Sequence, residues 1–168
     1  MLDLRGLAWG DDVWLLRPER WPEPPSDVEV ARLLAHECAH VLWFQRATAP
    51  GRPCAYVPTW FREGFAVVVS EGSPRAQHRR SMADCDLFAA AYADDAGMAD
   101  LGSTAYEVAA HAFAAWHQQF GARALAGVAR AMRAGNGFAA SFAAVCAVDD
   151  RTFIASWAAG FADEMAAR

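Results

Sequence analysis

The 168-residue sequence predicts a mainly helical α+β domain with a small β-hairpin near its N-terminus. Three observations support this. The chain is 55% hydrophobic, but alanine supplies much of that fraction, which suits closely packed helices. Apolar residues recur at 3.6-residue spacing between recognisable helix start and stop signals. A clear strand signal occurs in just one short region. The length allows one full hydrophobic core and requires no second, so residues 1–168 are expected to form a single domain.

In chain order, residues 7–9 and 13–16 flank Gly10, Asp11 and Asp12 and read as the hairpin. The proline-rich run PERWPEPP at 18–25 is a spacer. Ser26 with Glu29 three positions later makes a capping box, which opens a helix running to about Thr48, where Pro50 and Gly51 stop it. Residues 52–58 are loop-like, and Thr59 is the expected cap of a second helix through Glu71. A third helix is expected over 74–93, followed by an acidic, glycine-containing loop at 94–102. Thr104 and Glu107 form another capping box, placing Tyr106 in the first turn of a helix. Its apolar stripe continues through Ala109, Ala110, Phe113, Trp116, His117 and Phe120 and ends at Gly121. Further helices are expected over 122–134, 138–147 and 151–166.

Composition narrows the possible partners. Fifteen arginines, no lysine and twenty acidic residues leave a net charge of −5, and the arginines are scattered, so no nucleic-acid partner is expected. The longest nearly uninterrupted apolar run, residues 137–148, falls short of the roughly 18 to 20 residues that a membrane span needs. The N-terminus carries acidic residues where a signal peptide has a basic patch, which points to a cytoplasmic chain, or a secreted one if a leader precedes it. Cys38, Cys54, Cys85 and Cys146 are too widely spaced for a C-x-x-C pair and are expected to be reduced and mostly buried.

The chemistry is concentrated in LLAHECAHVLW, residues 33–43. Residues four apart on a helix differ by about 40° in direction and about 6 Å in height, so His36 and His40 can converge on one ion. Glu37 then lies beside that ion, placed to take a proton from a water on it. The pattern H-E-x-x-H thus combines two ligands with a general base. Chance would produce it in roughly 0.7% of sequences with this content of His and Glu, so it is informative. Two histidines held at the core edge by hydrogen bonds are the alternative. Cys38 lies about 200° around the helix from His36 and should point away from a metal.

A catalytic zinc takes a third protein ligand and keeps one position open. Glu63, in PTWFREGFAVVVSEG, stands among bulky apolar residues, where a carboxylate is costly unless a cation or hydrogen bond meets it. Gly64 beside it is expected to let this helix approach the first one closely. A surface carboxylate paired with Arg62 is the alternative for Glu63, and Glu71 is a rival ligand.

HECAH followed by WFREGFA resembles the gluzincin metallopeptidases, which join HExxH to a downstream Glu, often within an E-G-[FLW]-A segment preceded by Trp. The layout is most similar to the small bacterial peptidase MA-like domains. Tyr106, Phe120-Gly121, Gly135-Asn136-Gly137-Phe138 and Trp157 follow in the order typical of those proteins, so the resemblance spans most of residues 7–163. It implies a zincin-like helical domain with one zinc ion held by His36, His40 and Glu63. It also implies that Glu37 acts as general base and proton shuttle in the hydrolysis of a peptide or protein substrate by a metal-activated water. Tyr106 is the expected oxyanion donor, since it starts a helix whose dipole favours an anion, and His111 is the second choice.

The chain departs from the family pattern at Val67, where some relatives carry an acidic residue that orients a ligand histidine; backbone carbonyls, Glu71 or Asp84 would have to serve instead. The aminopeptidase motif G-x-M-E-N is absent, which removes support for recognition of a free substrate N-terminus. The alternative function is a catalytically silent zincin-like scaffold that binds a protein partner. A purely structural zinc, however, would usually have its fourth position closed by Cys or His.

Overall fold

The structure, a computed structural model, describes residues 6–9, 12–15, 23–53, 55–72 and 103–166. The helix expected over 74–93 and the loop after it lie outside these residues, as do Cys54 and Cys85. Strands β1 (Gly6–Trp9) and β2 (Asp12–Leu15) pair antiparallel, with Gly6 opposite Leu15 and Trp9 opposite Asp12. Among the described residues the helices are α1 (Asp27–Ala47), α2 (Thr59–Glu71), α3 (Ser103–Arg133), α4 (Phe138–Cys146) and α5 (Asp150–Ala166). The chain is therefore mainly helical. None of these helices is long and apolar enough to cross a membrane.

α1 opens on the capping box: the Glu29 amide donates to Ser26 Oγ at 3.2 Å, and the Ser26 amide donates to Glu29 Oε2 at 2.7 Å. Its C-terminal end is tied to the end of α3, where Arg133 Nη1 donates to the carbonyls of Gln45 at 2.7 Å and Thr48 at 3.1 Å. A cation there also complements the negative end of the α1 dipole. α2 and its cap each begin one residue earlier than expected. Pro58 is the N-cap, its carbonyl accepting from the amides of Phe61 and Arg62, and Thr59 is already helical. α3 consists of two arms broken at Gly121, whose φ of 75° lies in the region that favours glycine.

α2 forms the centre of the packing, lying against α1 on one side and α3 on the other. α4 packs on α3, α5 touches both, and the β-ribbon lies against α1. Phe61 of α2 is fully buried, with ring centroids 5.0–5.2 Å from Trp43 of α1, Phe113 and Trp116 of α3 and Phe138 of α4. Aromatic pairs at this spacing contribute about 0.5–1.5 kcal/mol each beyond their buried area, so α2 is held firmly from three sides.

Two sequence expectations are corrected. Gly64 does not face α1. A Cβ there would overlap the Ala109 carbonyl oxygen and lie 2.6 Å from Phe113 Cβ, so its close approach is to α3. Cys38 is exposed, because α1 buries the face carrying Glu37, His40, Trp43 and Ala47 and turns Cys38 outward. Cys146 is buried and accepts a hydrogen bond from Trp116 Nε1 at 3.4 Å.

Candidate metal centre

α1 and α2 together build the site. On α1, one helical turn separates His36 from His40, and their rings meet edge to face with Nε2 atoms 3.2 Å apart. α2 then brings Glu63 Oε2 to 3.3 Å from each Nε2. The three atoms form a nearly equilateral triangle. Ligand atoms bound at about 2.0–2.1 Å to a tetrahedral zinc lie about 3.3–3.4 Å from one another, so this triangle has the dimensions of one face of such a tetrahedron. Among the described residues, His36, His40 and Glu63 are the one group of three His, Cys, Asp or Glu side chains that gathers this closely. Glu71 is exposed near the C-terminal end of α2 and is not part of it.

The donor set also suits a cation electrostatically. Two imidazole nitrogens and a carboxylate oxygen converge on one small volume, and Glu63 and His40 are buried. Burial pushes the Glu63 carboxyl up, but the hydrogen bonds from His36 and His40, and then the charges of His40 and Arg62, outweigh it. The carboxyl is held well below the usual carboxylate range. Glu63 therefore stays anionic. Its other oxygen, Oε1, accepts a hydrogen bond from Arg62 Nε at 3.0 Å.

Glu37 is buried beside the triangle. Burial raises its pKa above the ordinary glutamate value, His36 and His40 pull it down, and the Glu63 charge adds to the rise. A carboxylate raised toward the working pH is better matched to proton transfer than an exposed one. Tyr106, in the first turn of α3, has its ring centroid 6.2 Å from that of His36 and is 40% exposed. Burial and the charges of Glu63 and Glu37 raise its phenol pKa, against a lowering by Arg62, so the hydroxyl keeps its proton and can donate a hydrogen bond. His111 follows Tyr106 by five residues, about 140° around α3, so the two cannot share one direction.

One feature differs from the usual metal shell. His40 Nδ1 is buried with no hydrogen-bond partner among the described residues, whereas a ligating imidazole normally donates its second N–H to a carboxylate, carbonyl or water. Of the carboxylates expected to serve, Glu71 is exposed and Asp84 lies outside the described residues. The alternative for Glu63, a surface carboxylate beside Arg62, differs from the structure in burial: Glu63 is buried, with Oε2 facing the histidines and Oε1 facing Arg62. No protein-family model matches the chain, and no curated protein or solved structure shows significant similarity to it.

Proposed function

We propose that this protein is a zinc-dependent peptidase of gluzincin type, with α1 as the active-site helix of a zincin-like domain. The observation that carries the reading is the triangle of His36 Nε2, His40 Nε2 and Glu63 Oε2, with sides of 3.2 and 3.3 Å. Those three side chains would hold one zinc ion, and a bound zinc supplies Lewis-acid polarisation of the water and of the scissile carbonyl.

The other roles belong to the chain itself. Glu37, adjacent in sequence to His36 and buried, takes the proton of the attacking water and passes it to the departing amine nitrogen. Its raised pKa strengthens it as a base for the first half of that transfer. Tyr106 donates its phenol hydrogen bond to the oxygen on which negative charge develops. Its partial exposure beside His36 leaves it reachable by a peptide entering from solvent.

The test is zinc content of the purified chain together with cleavage of a broad peptide library by wild type and Glu37→Gln. About one zinc per chain in both, with cleavage lowered by about 10²- to 10⁴-fold in Glu37→Gln, is expected. No retained zinc sinks the reading. Zinc without cleavage by wild type would favour the silent scaffold that binds a protein partner.

A further inference from the structure

We propose that Arg62 is a positioning residue that fixes Glu63 as a one-oxygen ligand; the inference rests on the zinc reading above. Neighbouring residues on a helix point about 100° apart and do not normally face each other. Contact between Arg62 and Glu63 therefore requires the arginine side chain to fold back along α2. The two side chains do meet, and the nitrogen that reaches Glu63 is Nε, 3.0 Å from Oε1. The Arg62 side chain is 38% accessible against 12% for Glu63.

The two carboxylate oxygens are thereby divided. Oε2 faces both imidazoles at 3.3 Å, and Oε1 is committed to Arg62. A glutamate free to rotate could offer both oxygens to an ion and fill the position that hydrolysis needs open. Arginine suits this task because its guanidinium is charged at all working pH values and its donors are fixed in a plane. A partly exposed pair of this kind adds little to folding stability, so its effect should appear in metal binding and not in the melting temperature.

The test uses the full chain as wild type, Arg62→Met and Arg62→Lys. Zinc affinity is measured by competition with a chelator, and the visible spectrum of the cobalt-loaded protein reports coordination number. Arg62→Met should weaken zinc about 10- to 100-fold, as loss of an outer hydrogen bond to a ligand does. Its cobalt spectrum should shift toward the weaker absorption of a five-coordinate ion, and the metal-free melting temperature should stay within about 2 °C of wild type. Arg62→Lys, which returns a cation within reach of Oε1, should recover most of the affinity. Zinc affinity in Arg62→Met within about twofold of wild type, with an unchanged cobalt spectrum, overturns the proposal. So does a loss that Arg62→Lys does not relieve. Failure of the wild type to bind zinc overturns the metal reading itself, and the wild-type titration shows this independently of either variant.

Discussion

Replacing Gly64 by alanine should destabilise this protein, although alanine is the better helix former by about 1 kcal/mol. The reason is the approach of α2 to α3. The added Cβ would overlap the Ala109 carbonyl oxygen and lie 2.6 Å from Phe113 Cβ and 2.8 Å from the Ala109 carbonyl carbon. None of these atoms is the far end of a flexible side chain. Restoring ordinary contact, which begins at 3.4 Å, to Phe113 Cβ alone requires a shift of about 0.8 Å. Overpacking of this kind costs about 1–3 kcal/mol, more than the gain in helix propensity at the upper end. For a chain of this size each kcal/mol moves the melting temperature by about 2–4 °C, so a fall of roughly 4–8 °C is expected for a net loss near 2 kcal/mol. The same shift reaches Glu63, the preceding residue, and metal sites tolerate only about 0.2 Å of change in ligand distance. Zinc affinity should therefore fall with stability. Gly160→Ala is the control: this glycine lies in α5 with nothing within 4 Å of the added Cβ, and the substitution should stabilise by about 0.4–1 kcal/mol. Thermal unfolding of both metal-free variants, followed by circular dichroism, makes the comparison. A Gly64→Ala protein as stable as Gly160→Ala would refute the claim that backbone contact with α3 sets the position of α2.

Glu63→Ala should retain little zinc, whereas Glu71→Ala should retain it as wild type does; equal retention in both would move the third ligand elsewhere. Removing zinc from the loaded protein with a chelator should lower its melting temperature, since free zinc at 100 times the dissociation constant contributes about 2.7 kcal/mol, or roughly 5–11 °C. A melting curve indifferent to chelator would count against a bound ion. Ser26→Ala removes the α1 cap and should cost about 1 kcal/mol in urea unfolding. Asp149, immediately before α5, accepts hydrogen bonds from the Thr152 hydroxyl at 2.7 Å and amide at 2.8 Å, which lower its pKa. A depressed carboxylate stabilises above its unfolded pKa and loses that contribution as pH falls through the folded one. The stability difference between wild type and Asp149→Asn should therefore hold steady near neutrality and shrink below the ordinary aspartate range; a difference unchanged in acid would show that the charge plays no part.

What could be read from the sequence was what the helix repeat fixes locally. His36 and His40 meet because they are one turn apart on the same helix, whatever packs around them. Ser26 and Glu29 cap α1 and Gly121 breaks α3 for equally short-range reasons. The sequence could also nominate Glu63, since a carboxylate among bulky apolar residues needs a cation or hydrogen bonds. It preferred Glu63 to Glu71 on its apolar surroundings and on the family resemblance, but the geometric choice depends on which turn of α2 faces α1. Tertiary packing made the choice. The aromatic ring contacts of Phe61 fix α2 against α1, α3 and α4, and that placement aims Glu63 Oε2 at both imidazoles while leaving Glu71 exposed. The same packing put Gly64 against α3 instead of α1 and turned Cys38 outward. Each of these depends on which faces of separate helices meet, and a repeat within one helix carries no information about the helix beside it.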